Sequence, residues 1–122
     1  MATKILITAD DYGMSEPVNQ AIEACLAAGA MQATCVMTNM PAYHACAVLR
    51  KTFPNASIGL HWTLTQGKPV LPLAKVTSLT NPDGQFFQFS EFRRRWLTGR
   101  INRSEVVAEL RAQDQRFREL AG

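Results

Sequence analysis

The sequence predicts an α/β fold built from parallel βαβ units, and two observations lead to this prediction. Short apolar runs alternate with segments of helical period through residues 4–61, which is the pattern of strands joined by crossover helices. The first run contains Ile5-Leu6-Ile7 without a polar residue, as expected of a parallel strand covered on both faces. Right-handed crossovers bring the carboxyl ends of such strands to one edge of the sheet, where α/β proteins commonly build their sites.

Three strands and two helices are predicted in the first half of the chain. The first helix begins after Ser15, a suitable N-cap, and Gly29 can end it in a left-handed conformation. The second helix is predicted over about residues 42–52, with Val48 and Leu49 among its inward residues. The strands are predicted over residues 4–9, 33–37 and 57–61.

The second half has a different pattern, in which residues 63–80 contain two prolines and little periodicity. A loop of this length in a compact domain is more often functional than incidental. A turn at residues 81–84 and a short strand at 85–89 are predicted to follow. Two final helices are then predicted, and the residues that would cap or end them are Ser90, Gly99, Asn102 and Glu105.

Composition limits the classes of protein that fit. Apolar residues make up 47% of the chain and charged residues 19%, which argues against disorder. No apolar run is long enough to cross a bilayer, so no membrane partner is expected. The N-terminus enters a strand-like run without a signal region, so a cytoplasmic location is expected. Three widely spaced cysteines are predicted to be small core residues: Cys25, Cys35 and Cys46.

The net charge of +3 arises entirely from Glu91 onward, where eight arginines outnumber five acidic residues. Arg93-Arg94-Arg95 suggests nucleic-acid binding. However, acidic residues interleave with the later arginines and no nucleic-acid module accompanies them. We therefore favour a solvated helix face and expect no nucleic-acid partner.

An acidic pair, Asp10-Asp11, follows the first predicted strand. Two adjacent carboxylates repel each other, and a bound cation relieves that repulsion. One carboxylate can then ligate the cation while the other handles protons. Taken alone, the pair is explained equally well by helix capping or a turn.

His61 favours the metal site, because it ends the third predicted strand and falls at the same edge of the sheet as the acidic pair. Neutral imidazole is the commonest protein metal ligand and combines readily with carboxylate. A histidine alone at a strand end is more often a structural residue. His44 lies within the second predicted helix and is expected at the surface.

Three further residues are candidates for a substrate pocket. Asn39 follows the second strand and can hydrogen-bond a ligand hydroxyl or amide, although a turn is an equally good interpretation. Trp62 can stack on a sugar ring or pack in the core. Thr65 supplies a hydroxyl from the loop that follows His61.

These residues resemble the YdjC-like carbohydrate deacetylase family. The run from Ile5 to Ser15 is similar to the family's opening signature, and the stretch from Glu109 to Gly122 is similar to the family helix that precedes a histidine-rich segment. Three segments follow the opening signature in the expected order: Thr38-Asn39-Met40-Pro41, Gly59-Leu60-His61-Trp62-Thr63-Leu64-Thr65 and Gly67-Lys68-Pro69. The last of these resembles the chitooligosaccharide deacetylase branch.

The resemblance implies a fold, a reaction and a set of site residues. The fold would be a distorted (β/α) barrel, of which residues 1–122 form a single partial domain, the N-terminal portion. The reaction would be hydrolysis of the N-acetyl group of an amino sugar or chitooligosaccharide. Asp11 and His61 would be ligands of one divalent metal ion, with Mg²⁺ preferred and Zn²⁺ as the alternative. Asp10 would be the catalytic carboxylate that accepts the proton of the attacking water.

The chain departs from the family's pattern because it contains no histidine-rich segment with the remaining metal-ligand histidine. The implied site then has two protein ligands, and we expect this chain alone to bind metal weakly and to have little or no activity. A half-barrel also leaves sheet edges uncovered, so a homo-oligomer is a reasonable hypothesis.

Three alternatives were weighed against this interpretation. A receiver-like Mg²⁺-binding signalling domain also has an acidic pair after its first strand, but it requires an aspartate where this chain has His61. A dinucleotide-binding domain requires Gly-x-Gly-x-x-Gly where this chain has Asp10-Asp11-Tyr12-Gly13-Met14-Ser15, so we reject it. A non-catalytic sugar-binding fragment stays open.

Overall fold

Three parallel strands, in the spatial order β1-β2-β3, form the sheet. In the computed structural model, which describes residues 3–121, β1 is Thr8–Tyr12, β2 is Ala33–Val36 and β3 is Ser57–Leu60. β2 pairs in parallel with both of its neighbours. The predicted α/β class with parallel βαβ units is confirmed, whereas three strands alone do not show a closed barrel.

The described residues divide into two compact units. The first contains the sheet and runs to His61, together with the residues from Phe117 onward, and the second is Trp62–Arg116. The single partial domain proposed for residues 1–122 stays a prediction. No helix within residues 3–121 is long and apolar enough to span a bilayer.

The first strand begins later than predicted, at Thr8 rather than Lys4. Ile5, Leu6 and Ile7 are 79%, 65% and 50% exposed. The expectation of a strand covered on both faces was wrong for this run. Pairing with β2 begins only at Thr8, so within the described residues this run precedes the paired part of the sheet and its faces are not covered.

Two helical segments connect the strands of the first unit. Helix α1 (Glu16–Ala27) follows Ser15 and ends before Gly29, whose φ is 69°, as the sequence predicts. A short 3₁₀ turn leads into helix α2 (Cys46–Thr52). In α2 the prediction for Val48 was wrong, because this side chain is 63% exposed. The buried core between sheet and helices consists of Tyr12, Ile22, Leu26, Val36, Cys46 and Leu49.

A buried asparagine fixes the turn that follows β1. Asn19, on α1, is 1% exposed; its Oδ1 accepts a hydrogen bond from the Gly13 N–H at 2.6 Å, and its Nδ2 donates to the Ala42 carbonyl at 3.0 Å. The Ala42 N–H in turn donates to the Gly13 carbonyl at 2.9 Å. The chain just after the acidic pair is therefore held against the segment that follows β2.

Gly13→Ala is expected to cost about 2–3 kcal/mol of unfolding free energy. The φ of Gly13 is 98°, and an added Cβ would lie 3.0 Å from the Met37 carbonyl oxygen and 3.1 Å from Tyr43 Cα. Gly29→Ala is the matched control, because its φ is also positive but nothing lies within 4 Å of the added atom; there we expect about 1 kcal/mol. Urea unfolding measures both, and equal costs would contradict a requirement for close backbone approach at Gly13.

The second unit contains an irregular segment and the helices α3 (Phe89–Leu97) and most of α4 (Arg103–Ala121). The predicted turn at residues 81–84 is confirmed, since the Gly84 N–H donates to the Asn81 carbonyl at 3.0 Å. The predicted strand at 85–89 was wrong: a single antiparallel bridge joins Thr80 and Phe86, and α3 begins at Phe89. The buried core of this unit is formed by Val76, Leu79, Phe86 and Ile101.

Two fully buried polar residues of α4 hold the predicted loop in place. The carboxylate of Glu109 accepts hydrogen bonds from the Val70 N–H at 2.8 Å and the Leu71 N–H at 3.0 Å. The amide of Gln113 pairs with both the N–H and the carbonyl of Thr63 and also donates to Glu109 at 2.9 Å. The long loop is therefore ordered by hydrogen bonds that its own sequence does not suggest.

Candidate functional site

A β-bulge places the acidic pair. Ala9 is paired with Thr34 and Tyr12 with Val36, so β1 advances three residues where β2 advances two. Asp10 and Asp11 lie inside this irregular stretch, and Asp11 has a φ of 69°. Aspartate is one of the few residues that tolerate this left-handed conformation. Bulges of this kind redirect side chains next to functional sites.

The sequence predicted that the acidic pair and His61 share one edge of the sheet, and the structure confirms that they meet. His61 follows β3, and its N–H donates to the Val36 carbonyl at 2.9 Å. Its Nδ1 lies 3.3 Å from Asp11 Oδ1. The carboxylate of Asp10 accepts a hydrogen bond from the Cys35 thiol, with Oδ1 2.9 Å from Sγ.

Cys35 is a member of this cluster that the sequence analysis missed. We predicted a small core residue, and the structure instead places it half-buried on β2, with its thiol donating to Asp10. Burial, with the hydrogen bond to Asp10 as the second cause, raises the pKa of this thiol to about 12. Only the strand register could have revealed it, because Cys35 is paired with Gly59, and the space a Gly59 side chain would fill is open.

The donor set suits a divalent cation. One ligand atom each from Asp10, Cys35 and His61 lie within 4.8 Å of one another, and Asp11 contacts the same imidazole. Two carboxylates, an imidazole and a thiol are ligand types that transition-metal ions accept. A cation would also relieve the repulsion between the adjacent carboxylates.

The three predicted substrate residues have different surroundings. Asn39 lies in the turn that follows β2, where the Met40 N–H donates to the Met37 carbonyl at 3.2 Å, and it is half-buried. Trp62 is 60% exposed, so it does not pack in a core. Thr65 belongs to the second unit and lines an open cavity of about 430 Å³ there, together with Gln66 and Gln88. His44 is exposed, as predicted, and its ring lies 3.8 Å from that of Tyr43 at a tilt of 35°.

The arginine-rich stretch makes local contacts in the second unit. Glu91 on α3 binds Arg94 and Arg95, with nitrogen–oxygen distances of 2.7 Å to each. These hydrogen bonds lower the pKa of Glu91 to about 2. The Arg95 guanidinium also lies 4.0 Å above the ring of Phe87. Arg94 and Arg95 therefore bind side chains of the second unit itself.

Parallel βαβ units with carboxylate, imidazole and thiol groups at the carboxyl ends of the strands define the general class: an α/β protein with a candidate metal centre at the sheet edge. The sequence model of the family described as YdjC-like protein matches residues 4–122. The chain belongs to this family. Family membership does not favour the receiver-like alternative.

Relatives of known description match along nearly the whole chain. A carbohydrate deacetylase of Danio rerio is 40% identical over 119 residues, which are 98% of this chain and 38% of the relative. A chitooligosaccharide deacetylase of Proteus mirabilis is 34% identical over 122 residues, which are 100% of this chain and 46% of the relative.

A solved structure is also similar. It is a protein of Enterococcus faecalis provisionally described as a cellobiose-phosphate cleavage protein, with a TM-score of 0.85 and 30% identity over 96% of this chain and 44% of that chain. The chain thus spans less than half the length of the relatives named here.

Proposed function

We propose that this site serves the metal-dependent hydrolysis of the N-acetyl group of an amino sugar or chitooligosaccharide. The observation that carries the proposal is the contact of Asp11 with His61 at the strand ends, with the second carboxylate, Asp10, beside them. The names of the relatives support a carbohydrate as the substrate and deacetylation as the reaction. The substrate would therefore be a small carbohydrate.

Three residues of the cluster have a defined task in this reaction. Asp11 and His61 would hold the cation, and Asp10 would accept the proton of the attacking water at a carboxylate oxygen. The cation, when bound, supplies Lewis-acid activation of the water and of the amide carbonyl. Water adds its hydroxyl to the acetyl carbon, the carbon–nitrogen bond breaks as the leaving nitrogen takes up the proton that the water gave, and acetate and the free amine result.

Sugar binding is the task proposed for three polar or aromatic residues. The exposed indole of Trp62 offers a flat apolar face to a sugar ring. Asn39 offers an amide at the end of β2 and Thr65 a hydroxyl in the second unit. We further propose that the three strands form part of a distorted (β/α) barrel, that the protein acts in the cytoplasm, and that it self-associates.

Acetate release from an acetylated chitooligosaccharide tests the proposal in two polypeptides. The 122-residue chain alone is expected to release acetate at close to the background rate. It supplies Asp11 and His61, but it does not contain the histidine-rich segment with the family's remaining metal ligand. A chimera in which this chain replaces the matching segment of the Proteus mirabilis relative is expected to release acetate and to lose that activity with a chelator. The unmodified relative is the control.

Two results would contradict the proposal. A chimera that is folded by circular dichroism and binds metal, but releases no acetate, would favour a sugar-binding role without catalysis. Activity that persists after complete removal of metal would exclude the metal-dependent reaction.

A further inference from the structure

Cys35 is the group at the candidate site that the proposed reaction does not use. Its thiol shares a small space with ligand groups from the two neighbouring chain segments: Asp10 in β1 and His61 after β3. Three different ligand types therefore converge from three adjacent strands. Neither a cysteine alone nor an acidic pair alone would indicate a metal site with a sulfur ligand, whereas the three groups together do.

The distances fit a metal ion with a sulfur ligand. Zinc–sulfur, zinc–nitrogen and zinc–oxygen bonds of about 2.0–2.3 Å in a tetrahedron separate the ligand atoms by roughly 3.3–3.8 Å. The thiol of Cys35 lies within 4.8 Å of a ligand atom of His61, whose Nδ1 is 3.3 Å from Asp11 Oδ1. Cys35 Sγ is also 2.9 Å from Asp10 Oδ1. These separations differ from the tetrahedral range by no more than about 1 Å, an adjustment that side-chain rotation could supply. The glycine paired with Cys35 in β3 leaves space for that adjustment.

We propose that Cys35 is a thiolate ligand of the divalent metal, alongside His61 and Asp11, so that the site selects Zn²⁺ or Co²⁺ over Mg²⁺. This rests on the metal site of the proposed function and names its third ligand within this chain. Mg²⁺ prefers oxygen ligands, whereas thiolate favours softer ions. Binding forms one metal–sulfur bond and releases the thiol proton to the solvent. The sequence-based preference for Mg²⁺ is thereby reversed.

Cobalt absorption tests the proposal without any measurement of activity. Co²⁺ added to the 122-residue chain is expected to produce a near-ultraviolet sulfur-to-metal charge-transfer band, which Cys35→Ser abolishes. Cys25→Ser is the matched control, because Cys25 lies half-buried on α1, and it should keep the band. In competition titrations Cys35→Ser is expected to lower Zn²⁺ affinity by at least about 10-fold, with less than about a 2-fold change for Mg²⁺.

The outcomes separate this inference from the proposed function. Binding of Co²⁺ with its visible bands but no charge-transfer band, or equal Zn²⁺ affinity in the wild type and Cys35→Ser, would overturn the thiolate ligand and leave the Asp–His site intact. A folded wild-type chain that binds none of the three metals would overturn both. Circular dichroism of each variant, with Cys35→Ala as a second replacement, confirms that the fold is retained.

Discussion

Asp11→Asn is expected to lower the affinity of this chain for a divalent metal by about 100-fold. The substitution removes the ligand charge while it keeps the backbone, because asparagine tolerates the φ of 69° found at this position as well as aspartate does. With alanine at this position, a loss of metal affinity could come either from the missing ligand or from backbone strain at the positive φ. Isothermal calorimetry with Zn²⁺ and Mg²⁺ measures the effect directly.

Asp10→Asn is the paired variant, and its effect on metal affinity is expected to stay within about 3-fold, on the order of a modest electrostatic change. The amide oxygen can still accept the hydrogen bond that Cys35 donates. In the active chimera, the same substitution is expected to lower kcat by about 10²–10⁴-fold, as for a lost general base. If Asp10→Asn removes metal binding and Asp11→Asn does not, the two carboxylates exchange their proposed roles.

Glu109→Ala is expected to cost about 3–5 kcal/mol of unfolding free energy, the largest effect on stability among the changes considered. The carboxylate is fully buried and accepts hydrogen bonds from two backbone N–H groups and from Gln113. Its removal leaves these three donors without an acceptor in a space that excludes water. Equilibrium unfolding in urea, followed by circular dichroism, measures the loss.

Two further variants provide reference values for the stability loss of Glu109→Ala. Arg111→Ala changes an exposed side chain on the same helix and is expected to alter stability by less than about 0.5 kcal/mol. Glu109→Gln keeps one acceptor oxygen, but its new NH2 group faces N–H donors that the carboxylate now accepts from. We therefore expect a loss of unfolding free energy between those of the other two variants. If Glu109→Ala costs no more than Arg111→Ala, Glu109 does not hold the loop over residues 63–80.

The sequence by itself determined the order of the elements and the edge at which the site lies. The helix start after Ser15, the helix end at Gly29 and the position of His61 after a strand are local features, and each was read from neighbouring residues. The meeting of Asp11 with His61 also followed, because parallel strands joined by right-handed crossovers end at one edge. No strand register was needed for that conclusion.

Only the tertiary structure decided those features that depend on strand register or on hydrogen-bond partners far apart in the chain. The bulge at Asp10 and Asp11, and the contact of Cys35 with Asp10, exist only once β1 and β2 are paired. The exposure of Ile5-Leu6-Ile7 follows from where the pairing of β1 with β2 begins, at Thr8. Glu109 is one of the acidic residues among the later arginines, for which a solvated helix face was predicted. It is nevertheless buried, because backbone N–H groups 38 and 39 residues earlier in the chain require an acceptor. Patterns of apolar residues record which faces are covered, but hydrogen-bond partners far apart in the chain leave no periodic signal.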